Sequence, residues 1–155
     1  MDSHMLKIET FSQRVARVQV APSVLLTRRT TFAAAHVLRR DDWDEAENRR
    51  VFGACTGDHG HNYILEVSVS GEVDPVTGMV INLKDLDRVV KAEIIELVDH
   101  RHLNRDVEFL AGVIPTAENL AVAFWNRLRD RFGEAALRRV KLVETENNSV
   151  EVSIQ

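Results

Sequence analysis

His59 and His61, in the run Asp58-His59-Gly60-His61-Asn62-Tyr63, stand two positions apart at the mouth of a segment that alternates like a β-strand. Alternate strand residues point the same way, about 6.5 to 7 Å apart, so both imidazoles can reach one ion. His36 ends an earlier strand-like run, residues 26–35, and can bring a third nitrogen to the same point. Three histidines leave one coordination position free, which marks a working zinc rather than a structural one. His100 and His102 repeat the His-x-His spacing and are the rivals. They follow a predicted helix, and a helix continuing through them would turn their side chains about 200° apart, facing away from each other. His36, His59 and His61 are therefore the expected metal ligands. His4 lies in Ser3-His4-Met5, which reads as a cloning scar, and is left out of the chemistry.

Three further groups bear on such a site. Cys55 comes four residues before His59. It is a fourth ligand that closes the site, a free thiolate acting as base or nucleophile with its pKa lowered by nearby positive charge, or a small buried hydrophobe. Spacing leaves all three open. Asp99 and His100 make either a carboxylate–imidazole relay or an ordinary charged helix terminus. Glu144 shares a strand face with Val140 and Leu142, which turns it toward a partly apolar pocket. A carboxylate there can accept two parallel N–H donors from a guanidine-like ring edge; solvation of Glu144 is the alternative.

The elements that must position these groups are legible in the periodicity. Residues 24–35 are rich in β-branched and small side chains, and Tyr63, Leu65, Val67 and Val69 alternate with Ile64, Glu66, Ser68 and Ser70, so two antiparallel strands are expected. Between them, residues 37–58 are too polar for a core strand and read as a long loop with a helical turn. Asn82 caps a helix with Leu83, Leu86, Val90, Ile94 and Leu97 at helical spacing, ending near Val98. Thr116 caps a second, with Leu120, Phe124 and Leu128, interrupted by Gly133. Strands over 138–146 and 150–154, joined by a turn at Asn147-Asn148, complete the order ββααββ. This is an α+β domain, a four-stranded antiparallel sheet with both helices on one face. Its two unpaired edges invite self-association, which a barrel built from several subunits would satisfy.

Composition narrows the partners. A chain of 155 residues with 45% hydrophobic content can build one core unaided, so a metal suggests chemistry rather than scaffolding. Residues 1–22 read as an N-terminal arm and 23–155 as the domain. The net charge of −4, with both signs interspersed, offers nucleic acid no general attraction. No apolar run approaches the roughly 20 residues of a membrane span. One cysteine permits no internal disulfide, and a soluble, cytoplasmic protein is expected.

Several ordered pieces together resemble the pterin synthase family that contains 6-pyruvoyl-tetrahydropterin synthase and bacterial 6-carboxytetrahydropterin synthase. They are Phe32-Ala33-Ala34-Ala35-His36, Cys55, His59-Gly60-His61-Asn62-Tyr63, Thr77-Gly78-Met79-Val80, Asp99-His100-Arg101-His102-Leu103-Asn104, Pro115-Thr116-Ala117-Glu118-Asn119 and Val143-Glu144-Thr145. The resemblance implies the T-fold, with three subunits closing a twelve-stranded barrel and two rings stacking into a homohexamer with sites between subunits. It implies zinc on His36, His59 and His61, Cys55 as catalytic base, Asp99 and His100 as its proton relay, Glu144 anchoring the pterin ring and Thr116 lining the pocket. The implied substrate is 7,8-dihydroneopterin triphosphate, whose phosphates Arg28, Lys84, Arg101 or Arg105 would neutralise. The spacing of Cys55 and His59 resembles the carboxy enzymes, whereas the insertion before Cys55 resembles the pyruvoyl ones. The first expectation is thus a lyase forming 6-carboxy-5,6,7,8-tetrahydropterin with release of acetaldehyde and triphosphate, a queuosine precursor pathway step. The alternative is 6-pyruvoyl-tetrahydropterin synthase chemistry. A third reading, from another class, is a non-catalytic pterin-binding or assembly module in which Cys55 completes a structural zinc site; aldolase-like chemistry on dihydroneopterin is a related enzymatic variant.

Overall fold

The computed structural model describes residues 23–133 and 135–154; the expected N-terminal arm, residues 1–22, lies outside them. Two long strands, β1 (Val24–His36) and β2 (His59–Gly71), pair antiparallel along their whole length, from Val24 opposite Gly71 to His36 opposite His59. Their alternation does what period two requires. Phe32, Ala34 and His36 of β1 and Tyr63, Leu65, Val67 and Val69 of β2 are buried. The opposite face is polar: Thr27 Oγ1 meets Ser68 Oγ at 2.7 Å, and Arg139 reaches Glu66 at 3.2 Å.

The segment between these strands is more ordered than a loop with one helical turn. Asp44 caps α1 (Glu45–Phe52) by accepting from Glu47 N, and a 3₁₀ turn, Gly53–Thr56, follows. The fully buried Asn48 amide accepts from Arg40 N and donates to the carbonyls of Arg40, Trp43 and Asp44. Trp43 stacks on Phe52, with the Arg40 guanidinium over its ring. Leu38 N then donates to Cys55 O at 2.8 Å, tying the end of this lobe to the chain just beyond His36.

Asn82 caps α2 (Leu83–Val90) as expected. The helix passes through a π-helical turn, Lys91–Ile95, into α3 (Glu96–Val98), and ends at Asp99 in extended conformation. The next residues add an unforeseen element: β3 (Arg101–His102) lies parallel to β1 at Ala34 and Ala35. Thr116 caps α4 (Ala117–Leu128), and β4 (Ala136–Thr145) and β5 (Asn148–Ser153) close the sheet. The hairpin turn falls at Glu146-Asn147, one residue early, because Thr145 Oγ1 accepts from both Asn147 N and Asn148 N.

The sheet order is β3-β1-β2-β4-β5, so the four antiparallel strands gain a short parallel one beside β1. Leu86, Val90 and Ile94 on one helix and Leu120, Phe124 and Leu128 on the other share one core with the buried strand face. Each such side chain contributes about 1.5–3 kcal/mol when fully buried. No helix among the described residues is long and apolar enough to cross a membrane.

Candidate metal centre

The β1/β2 register makes His36 and His59 direct partners and sets His61 opposite Ala34, one pleat further along. All three histidines therefore project from the helix-covered face at the strand ends. Their ligand atoms lie within 4.8 Å of one another, with ring centroids 4.5, 5.1 and 5.2 Å apart.

Hydrogen bonding fixes which nitrogens face inward. Nδ1–H of His36 donates to Pro115 O, and Nδ1–H of His59 donates to Gly57 O, each at 2.8 Å. Each ring so held presents an Nε2 lone pair, the arrangement of metal-ligating imidazoles. Nε2 of His36 is buried without any hydrogen-bond partner, an atom that a divalent ion would satisfy. Burial, reinforced by His59, His61 and His102 against the opposing effect of the Pro115 carbonyl, pushes His36 down to about 4. The ring is neutral and ready to ligate. The residues present fit a divalent cation.

This depression sets a pH response in the metal-free protein. The unfolded chain protonates His36 below about 6.5, whereas the folded chain resists until about 4. Stability is whole above about pH 6.5, falls as the pH drops through that window, and the loss is complete below about 4, on the order of 3 kcal/mol from this ring. Urea midpoints of chelator-treated protein should fall over that range, and His36→Gln should flatten the slope.

Glu144 stands close to the three histidines. Its Oε1 is 3.9 Å from Nε2 of both His36 and His61; with His36 neutral, its contact with Glu144 is no ion pair. Tyr63, fully buried and stacked on Phe32, has its hydroxyl 3.5 Å from Nδ1 of His36. Burial, then the Glu144 carboxylate beside it, raises that phenol well above its usual value.

Cys55 is half-buried in the 3₁₀ turn and stays outside the histidine cluster. Asp99 and His100 do pair, with Nδ1 and Oδ1 3.0 Å apart. The Asp99 carboxyl is held below its usual range first by Ala33 N–H, then by His100. His100 sits in the left-handed region at φ 57, which costs a non-glycine residue about 1–2 kcal/mol, and its side chain is 84% exposed. Among the described residues no hydrogen bond joins it to Cys55. Thr116 is seen as the helix cap, adjacent to the carbonyl that orients His36.

His102 has a role the spacing did not reveal. Its Nε2 meets Asp58 at 2.9 Å, and Arg105 joins the same carboxylate at 3.2 Å. Asn104 extends the pairing of β1 through its side chain, bonding both N and O of Val37 at 2.9 Å. An open groove of about 480 Å³ runs past His61, His100 and Arg101.

The family model described as 6-pyruvoyl tetrahydropterin synthase matches residues 25–155. The chain belongs to this family. A member of the 6-pyruvoyl tetrahydropterin synthase family is a lyase, and the α+β T-fold is the architecture expected from the sequence. Human 6-pyruvoyl tetrahydrobiopterin synthase is 42% identical over 127 residues, 81% of this chain and 88% of the human one. The structure of Caenorhabditis elegans 6-pyruvoyl tetrahydropterin synthase matches with a TM-score of 0.79 at 35% identity, covering 86% of this chain and 97% of that one. A putative 6-carboxy-5,6,7,8-tetrahydropterin synthase of Archaeoglobus fulgidus is 36% identical over 98 residues, 63% of this chain and 77% of its own.

These relatives favour the pyruvoyl branch over the carboxy branch expected first. The reason is physical. The spacing of Cys55 and His59 is the length of a tight turn, which changes readily without altering the sheet. The insertion before Cys55 is a folded lobe with a buried amide at its centre.

Proposed function

We propose that the protein converts 7,8-dihydroneopterin triphosphate to 6-pyruvoyl-tetrahydropterin with elimination of triphosphate, using zinc on His36, His59 and His61. The observation that carries this is the convergence of three imidazoles on one point, with Nε2 of His36 buried and unpartnered. A zinc ion held there supplies stabilisation for negative charge developing on a substrate oxygen. Cys55, outside the cluster, takes the proton as base. Glu144 accepts the N–H donors of the pterin edge, and Thr116 borders the same pocket.

Asp99 and His100 relay protons into the site of a neighbouring subunit. The exposure of His100 within its own chain supports that arrangement, and the free edges at β3 and β5 support closure of three sheets into a barrel. The polar sheet face would then line the barrel, with two rings forming a hexamer. Among the cations proposed for the triphosphate, Arg28 is held by Asp87 and Arg105 by Asp58. Arg101, which borders the groove beside His61, is the better placed. A base of this kind needs a reduced thiol, which fits the cytoplasm.

Incubation of zinc-loaded protein with dihydroneopterin triphosphate, followed by mass spectrometry, tests the reading. Pyruvoyl-tetrahydropterin and free triphosphate are expected. Carboxytetrahydropterin with acetaldehyde would transfer the protein to the queuosine precursor branch, and no product from fully loaded protein would overturn the substrate assignment.

A further inference from the structure

Glu144 lies near the end of β4, and the pairing of Val143 with Ile64 brings it beside Tyr63 on the histidine face. Two features make its 3.9 Å approach to His36 and His61 more than proximity. The first is electrostatic. His36 spends its N–H on Pro115, so the Nε2 that faces the carboxylate is a lone pair. A lone pair opposite a carboxylate that is only 18% exposed repels it, unless a cation lies between them.

The second is geometric. Nitrogen and oxygen ligands of a tetrahedral ion stand about 3.3 Å from one another, the edge set by bonds of about 2.0–2.1 Å. Two contacts of 3.9 Å from one oxygen bring Glu144 beside two of the three ring nitrogens, just outside the histidine group, so that a small turn of its side chain would complete the edge.

We infer that Glu144 supplies the fourth donor to the metal while no pterin is bound, giving a closed His₃–carboxylate site at rest. This rests on the metal-dependent reading above and adds a second task to the residue proposed to anchor the ring. The carboxylate would hold the ion between turnovers and leave it only when a pterin edge offers better partners. A three-histidine site would otherwise rely on water for its last ligand.

Zinc affinity by chelator competition, and the visible spectrum of cobalt-loaded protein, test this on the full chain. Glu144→Gln and Glu144→Ala should each bind zinc about 10–100-fold more weakly than the parent protein. Their cobalt spectra should shift in band position and intensity, because water takes the place of the carboxylate in the ligand field. Equal affinity and unchanged spectra in both variants would overturn the inference while leaving the three-histidine site standing. A loss confined to Glu144→Ala would mark a packing effect and also overturn it. Failure of the parent protein itself to bind either ion would overturn both this inference and the function proposed above.

Discussion

His59→Ala should yield a folded protein that retains no zinc through dialysis and turns over at least about 10³-fold more slowly, since a second-sphere partner alone is worth 10–100-fold in metal affinity and a ligand is worth more. His59 is the best of the three ligands to remove. It begins β2, is only half-buried, and releases just the Gly57 carbonyl, which lies near solvent. Loss of function can then be separated from loss of fold, which removal of the wholly buried His36 would not allow. The measurements are metal content after dialysis, turnover of dihydroneopterin triphosphate, and the urea midpoint of the metal-free variant against metal-free parent. A zinc-loaded variant would show that the imidazoles converge for another reason.

The triad was legible because strand period leaves little freedom: residues two apart share a face, and one continuous register between β1 and β2 sets His36 against His59. The caps Asn82 and Thr116 were legible for the same local reason, since an oxygen one or two bonds beyond Cβ meets the first free N–H groups of a helix. What escaped depends on distant partners. Asp58 and His102 are 44 residues apart, and nothing in either neighbourhood announces the pair. β3 is two residues long, too short for periodicity, and exists because β1 offers it Ala33 O and Ala35 O. The lobe before Cys55 looked like a polar loop because its organising group is one amide, Asn48, whose partners are backbone carbonyls without sequence signature. Alternation alone gave the face on which Glu144 lies, but its distance from the histidines needed the β2/β4 register as well.

Cys55→Ala carries the second large effect, and it separates a working site from a structural one. The sulfur is half-buried in a 3₁₀ turn, and the contact that holds this residue in place is its backbone carbonyl on Leu38 N, which alanine keeps. The stability change should therefore stay within about 1 kcal/mol, as for substitutions away from core, cap and network positions. Zinc content should be unchanged, because three imidazoles suffice to hold the ion. Turnover should nonetheless fall by about 10²–10⁴, the range supplied by a positioned base. Cys55→Ser sharpens the comparison: a hydroxyl nearly matches the shape of the thiol but gives up its proton far less readily, so it should be almost as inactive as alanine. If Cys55 were instead the fourth ligand of a closed scaffold site, alanine would lose both zinc and stability together, since metal binding is then folding energy. Zinc retained with activity lost is compatible only with a thiol that works on substrate while the imidazoles hold the metal.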